Sequence, residues 1–370
     1  MKKQNKTYKF IISGGGTGGH IFPALSIAEE IKNRLPGAEI LFVGAKGKME
    51  MEKIPAAGYP IEALWISGLN RTKKWKNINF PFKLASSLWK ARKIIADFKP
   101  DAVIGTGGFA SGPIMYVAQK KGIPTFIQEQ NSYPGITNKL LAKGARKIYA
   151  AYDEVNRFFD KNKVVVTGNP VRKNLENEYT DKKEAARKFG LDPEQKTILV
   201  IGGSLGAMPV NRIVEKHLKE IKDNNWQLIW QTGKNHYENF KKYKDENIKV
   251  MPFIQDMASA YAVADMIISR AGAGTLSELA IVGKPVVLIP SPYVAEDHQT
   301  KNAQALAQKK AAVLIKEKDL ENNFLSSLKH ILTEDKASQS LSSNLKKMAK
   351  PNATKEIVDD ILKEIRNLEN

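Results

Sequence analysis

Phe10-Ile11-Ile12-Ser13-Gly14-Gly15-Gly16-Thr17-Gly18-Gly19-His20 runs directly into Ile21-Phe22-Pro23-Ala24-Leu25-Ser26-Ile27-Ala28-Glu29-Glu30-Ile31. The apolar run predicts a strand, the five glycines a tight turn, and the apolar residues at helical spacing a helix with Pro23 near its start. Unpaired amides and the positive end of a helix dipole then meet at the turn, which suits an anion. The spacing is neither G-x-G-x-x-G nor G-x-x-x-x-G-K-[ST], so a generic nucleotide motif does not describe it. A plain turn accounts for one or two glycines. Five, closed by a histidine, read as a ligand site.

Outward from this stretch, strand-like runs alternate with helical patterns along the whole chain, the pattern of parallel sheets covered by helices. Phe10–Ser13, Glu39–Val43, Ala102–Gly105, Pro124–Gln128, Lys147–Ala150 and Val164–Thr167 are the strands expected in the first half. The second half restarts at Thr197–Ile201, again followed by glycines, Gly202-Gly203-Ser204-Leu205-Gly206-Ala207, and a helical pattern. A strand, a GG-x-x-G turn and a helix thus occur once near the start of each half. The reading is α/β: two Rossmann-like domains with parallel sheets facing each other across a cleft. The domains are expected at 1–169 and 170–352, with the amphipathic tail 353–370 crossing back onto the first.

Composition narrows the partners. At 370 residues two domains are the natural expectation, and 42% hydrophobic with 26% charged residues describes a soluble globular protein. The absence of cysteine suits a reducing cytosol and excludes thiolate metal sites. The basic N-terminus leads into a strand and glycine loop, not a signal-peptide core, and no apolar run reaches the ~18 residues that span a bilayer. Lys and Arg number 58 against 39 Asp and Glu, a net charge of +19 that favours an anionic partner.

Trp65 to Ala96 contains no acidic residue but holds Arg71, Lys73, Lys74, Lys76, Lys83, Lys90, Arg92 and Lys93. Leu84, Leu88, Ala91 and Ile95 have the spacing of an ordinary core-facing helix. Trp75, Ile78, Phe80, Phe82 and Trp89 among lysines instead form the basic-aromatic pattern of a surface that docks on anionic membranes.

Further glycine or polar turns follow other strands: Gly105–Pro113, Gln128–Gly135 and Ser269–Leu279. Strand ends are where open α/β sheets bind ligands. In the last of these, the helix opening can bind a diphosphate and Arg270 can add charge. Glu278 is either an acceptor for a ribose diol or a solvated helix carboxylate. No Asp-x-Asp or His-Glu-x-x-His occurs, and the five histidines are dispersed, so no dedicated metal site is expected.

Together, GGGTGGH at Gly14–His20, GTGGFASGP at Gly105–Pro113, Gln130-Asn131 with Pro134-Gly135, GNPVR at Gly168–Arg172, GGSLGA at Gly202–Ala207 and the segment Ser269–Glu278 resemble glycosyltransferase family 28. The members in question are the peripheral membrane enzymes of bacterial peptidoglycan synthesis that act on lipid I. The likeness extends in order to about Asn302, and six motifs in sequence are specific where one is weak. It implies a GT-B fold and inverting transfer of N-acetylglucosamine from UDP-GlcNAc to the C4 hydroxyl of lipid-linked MurNAc-pentapeptide, giving lipid II and UDP. It assigns donor contacts to Thr17, Gly18, Gly19, Asn131, Arg172, Ser204, Ile254, Ala273, Gly274, Thr275, Leu276, Ser277, Glu278 and Gln299. His20 matches the histidine considered as general base, with loop ordering as the alternative role; His298 stands where some relatives have glutamine. No cofactor is implied. The implied partners are UDP-GlcNAc, lipid I, an anionic membrane surface at the cytoplasmic face of the inner membrane, and proteins of cell-wall synthesis and division.

Two other functions fit parts of the sequence. A UDP-GlcNAc 2-epimerase shares the fold but has no use for the Trp65–Ala96 segment. A nucleic-acid binder would use the charge but leaves the glycine loops unexplained.

Overall fold

The computed structural model describes residues 6–69, 74–171, 181–203, 205–294 and 297–369. The chain divides into two compact units, residues 1–171 with 350–370, and residues 172–349. In the first unit, β1 (Lys9–Gly14), β2 (Glu39–Ala45), β3 (Ile61–Leu64), β4 (Ala102–Gly107), β5 (Thr125–Glu129), β6 (Lys147–Ala150) and β7 (Val164–Val166) form one sheet. Its order is β3-β2-β1-β4-β5-β6-β7 and every pairing is parallel. The second unit repeats the plan with β8 (Thr197–Ile201), β9 (Gln227–Gln231), β10 (Ile248–Met251), β11 (Met266–Ser269), β12 (Val286–Leu288) and β13 (Val313–Leu314). Its order is β10-β9-β8-β11-β12-β13, again all parallel.

In both sheets the first strand lies inside, and the order reverses beside it, between β1 and β4 and between β8 and β11. Loops leaving strands on either side of such a reversal diverge and leave a crevice, the usual ligand position in this architecture. The glycine stretches after β1 and β4, and after β8 and β11, stand at these two points.

Alternation along β1 shows why the strand reads as a continuous apolar run. Phe10 and Ile12 enter a core with the helix Gly18–Arg34 and the terminal helix Ala353–Glu369, whereas Ile11 enters the opposite core under the helices Phe80–Phe98 and Ser111–Lys120. Both faces are covered, so neither can be polar. The helix after β1 begins at Gly18, earlier than the Ile21 expected, which leaves Pro23 inside it. All six strands expected in the first half are present with small shifts at their ends. The edge strands β3, β10 and β13 were not anticipated, because they are short and two of them only half buried. The internal strand β9 escaped for a different reason: it begins and ends in glutamine.

The terminal helix presents Ile357, Val358, Ile361, Leu362 and Ile365 to the first unit's core. Tyr149 on β6 donates to Asp360 Oδ2 at 2.9 Å, and burial together with that carboxylate pushes the phenol far above its usual range, keeping it a neutral donor. Arg34 and Arg146 add pairs with Asp359 at 3.1 Å and Glu364 at 2.6 Å; both arginines are solvent-exposed, and pairs of this kind contribute little. Apolar burial therefore holds this helix. Ile361→Ala should lower the unfolding free energy of the first unit by about 2–5 kcal/mol in urea titration; an unchanged midpoint would show that the helix is not part of its core.

Candidate active site

In the first unit the loop Gly14–Thr17 is held from beneath by a side chain no motif pointed to. Glu50, fully buried at the start of the helix Glu50–Ala56, accepts from the amides of Gly16 and Ala45, both at 3.0 Å. One carboxylate thereby ties the β1 loop to the end of β2. Thr17 caps the following helix through backbone geometry alone and is exposed, with Gly18 and Gly19 as its opening residues. The β4 loop closes over the same place. Gly107 and Gly108 have φ of +96° and +79°, and a Cβ at Gly108 would collide with the Gly15 carbonyl. Only glycine permits this approach.

His20 lies at this junction, partly buried. Its Nδ1 is 3.0 Å from the carbonyl oxygen of Thr106 and 3.1 Å from Gln130 Oε1. A backbone carbonyl can only accept, so Nδ1 carries the proton and donates; in the neutral ring Nε2 then holds the lone pair. Thr106 returns a bond from its hydroxyl to the His20 carbonyl at 2.8 Å. After β5, buried Glu129 accepts from the Asn131 amide (3.0 Å), Asn131 Nδ2 (3.2 Å), the Gly135 amide (3.1 Å) and Asn138 Nδ2 (2.8 Å). A fixed carboxylate thus orders the turn that carries Asn131.

The second unit uses an amide in the same way. Gln231, at the end of β9, donates to the Gly203 carbonyl at 3.1 Å and accepts from the Ile254 amide at 2.9 Å. Ile254 is buried, so it offers backbone, not side chain. The helix Ala273–Val282 begins after Gly272 and carries Gly274, Thr275, Leu276, Ser277 and Glu278; Leu276 points into the core. Glu278 is half-buried and accepts from the Tyr261 hydroxyl at 3.3 Å, so it is an oriented carboxylate and not a freely solvated one. Tyr261 stands on the helix Met257–Val263, whose cap Asp256 accepts from Ser259 Oγ (2.7 Å) and N (2.9 Å); these bonds hold its carboxyl below the usual range. Gln299 accepts from the Ser291 amide at 2.9 Å, joining the helix His298–Gln308 to the loop after β12, with His298 as that helix's first residue.

Two expectations need correction. Arg270 is not an uncommitted charge at the helix opening: its guanidinium donates to the Ile289 carbonyl at 2.9 Å and pairs with Glu317 at 2.7 Å, both partners within the second unit. Phe80 does not belong to an exposed apolar surface: it opens the helix Phe80–Phe98 on the stripe continued by Leu84, Ser87, Ala91 and Ile94, and packs against the core. Phe82 and Trp89, seven residues apart, share the other face and are 70% and 67% exposed, as are Trp75 and Ile78 at 71% and 76%. Lys73, Arg172 and Ser204 lie outside the described residues, as do the side chains of Lys74 and Lys76.

Comparison with known proteins agrees with this arrangement unit by unit. Residues 10–150 match the glycosyltransferase family 28 N-terminal domain and residues 197–357 the family 28 C-terminal domain. The chain belongs to glycosyltransferase family 28. The chain is 54% identical to the UDP-N-acetylglucosamine–N-acetylmuramyl-(pentapeptide) pyrophosphoryl-undecaprenol N-acetylglucosamine transferase of Christiangramia forsetii, over 97% of this chain and 98% of that one. The protein of the same name from Flavobacterium psychrophilum is also 54% identical, covering 96% and 97%. Among solved structures, Acinetobacter baumannii MurG superposes with a TM-score of 0.77 at 30% identity, covering 97% of this chain and all of that one. Two parallel-sheet Rossmann-like units are the fold of this family.

Residues Glu50, Glu129 and Gln231, which build the loops, were not singled out in the sequence. Glu129 lies in a stretch that was; Glu50 is 34 residues from the amide it holds, with no local signal. The oriented Glu278 carboxylate gives a direct expectation. Glu278→Ala should weaken UDP and UDP-GlcNAc equally, by roughly ten- to a hundredfold, corresponding to a lost charged hydrogen bond of about 1.5–3 kcal/mol. Calorimetric titration with both ligands checks it, and unchanged UDP affinity would remove Glu278 from the ribose.

Proposed function

We propose that this chain transfers N-acetylglucosamine from UDP-GlcNAc to the C4 hydroxyl of undecaprenyl-pyrophosphoryl-MurNAc-pentapeptide, lipid I, releasing UDP and forming lipid II with inversion at the anomeric carbon. The observation that carries this reading is the 54% identity, over almost the whole length, to two transferases bearing that substrate description. The residue chemistry supports it. Inversion by a single displacement requires a base at the acceptor hydroxyl and stabilisation of the departing diphosphate. His20 supplies the base: with Nδ1 donating to Thr106, its Nε2 is the nitrogen that accepts the C4 hydroxyl proton. In the second unit, the turn after β8 and the helix opening at Ala273–Thr275 present backbone amides to the diphosphate, in place of a metal, and Glu278 holds the ribose.

This reading also places the first unit on an anionic membrane, because the acceptor's diphosphate headgroup stays at a bilayer surface. No helix among the described residues is long and apolar enough to cross a membrane. Trp75, Ile78, Phe82 and Trp89 are exposed, and Arg92 and Lys93 follow Trp89 on the outer face of the same helix. Lys90 is less available: it pairs with Glu62 at 2.8 Å and donates to the Ala63 carbonyl at 2.9 Å. Shallow apolar insertion and screened attraction to lipid headgroups then act together.

Incubation with a lipid I analogue should give product with UDP-GlcNAc far faster than with UDP-GalNAc or UDP-glucose, and UDP-GlcNAc alone should yield no UDP-ManNAc. Formation of UDP-ManNAc would assign the chain to epimerisation instead. In vesicle sedimentation, Phe82→Ser with Trp89→Ser should remove the salt-resistant part of binding and leave activity on a soluble acceptor. Phe80→Ser should act on folding instead, lowering the unfolding midpoint; wild-type binding by the double variant would place the membrane face elsewhere.

A further inference from the structure

Gln130 is wholly buried beside His20, yet the proposed chemistry gives it no task. Its Oε1 faces His20 Nδ1 at 3.1 Å, while its Nε2 faces the Thr106 carbonyl at 2.6 Å and also contacts Gln128 Oε1. Turning the amide over would set an oxygen against both of those oxygens and an N–H against the protonated Nδ1. The orientation is therefore fixed by its neighbours. Gln128 is fixed in turn: its Nε2 donates to Asn169 Oδ1 at 2.9 Å, and Asn169 Nδ2 donates to the Gln130 carbonyl at 3.1 Å. All three side chains are buried, where a reversed amide would leave donors and acceptors without partners.

We propose that Gln130 is a positioning residue for His20: the locked amides Asn169–Gln128–Gln130 hold a second acceptor oxygen, beside the Thr106 carbonyl, against Nδ1–H, and so fix the ring with its Nε2 lone pair as the base. This rests on the reading of His20 as base. A neutral amide does here what a carboxylate does in many histidine pairs. It orients the ring and stabilises the imidazolium that forms, without the charge that would keep the ring protonated at neutral pH. Asn169 immediately precedes Pro170-Val171, where the chain leaves the first unit, so the relay runs from that exit to the histidine.

The first test needs no variant. Nitrogen-15 NMR of ring-labelled wild-type protein, above the pH at which His20 titrates, should show a protonated Nδ1 and an unprotonated Nε2. The reverse tautomer overturns the proposal. Gln130→Met keeps the side-chain length but removes the acceptor. It should lower kcat by roughly ten- to a hundredfold, leave KM for UDP-GlcNAc within about twofold, and move the acid limb of the kcat–pH profile downward. The sign follows from the oxygen favouring the charged ring: without it the pKa falls. Asn169→Ala, which removes the bonds to Gln128 Nε2 and the Gln130 carbonyl, should shift the limb in the same direction by less. A lowered kcat with an unmoved limb in both variants, or a loss confined to KM, would reduce Gln130 to loop packing. His20→Ala separates the two layers: full turnover in that variant overturns the base reading and the catalytic half of this proposal, while the NMR result still decides which ring nitrogen of His20 carries the proton.

Discussion

Parallel strands leave their last carbonyls and the amides of the following loops without sheet partners, and at buried strand ends those groups must be satisfied by something else. Here a few buried side chains do it. Glu50 takes the Gly16 and Ala45 amides, Glu129 takes four N–H groups around Asn131, Gln130 and His20 share the Thr106 carbonyl, and Gln231 joins Gly203 to Ile254. The loops that carry the candidate ligand groups are shaped by these contacts. Glycine supplies the close approaches, and the carboxylates and amides make the resulting shapes definite.

The same accounting separates binding groups from framework groups of similar chemistry. Arg270 and Glu278 lie on one strand-turn-helix segment, and either could face an anionic, hydroxylated ligand. Arg270 has its guanidinium engaged by Ile289 and Glu317. Glu278 accepts from the Tyr261 hydroxyl at 3.3 Å, a long bond within the helix-opening region. Removing Arg270 should therefore act through the packing of the segments that carry Ile289 and Glu317, whereas Glu278 is the carboxylate whose loss should register in nucleotide affinity.

Helix periodicity makes a similar division on the surface. Phe80 and Phe82 are two residues apart, about 200° around a helix, so one packs against the core and the other faces outward. The basic-aromatic composition of Trp65–Ala96 suggested one uniform surface; the helix resolves it into a core stripe and an outer stripe.

By itself the sequence determined the two-fold repetition of an α/β plan, the covered parallel sheets and the positions of the ligand loops. Those features rest on local signals: apolar runs, glycine turns and helical spacing, repeated in order. The family was legible for the same reason, since its motifs are contiguous. Tertiary structure alone decided which polar residues hold the loops, because Glu50 and Gly16, or Gln130 and His20, are 34 and 110 residues apart and meet only when β1, β2, β4 and β5 pair. It also decided the tautomer of His20, the engagement of Arg270 and the inward turn of Phe80. Each depends on what lies across a sheet or under a helix, and a linear pattern carries no record of that neighbour.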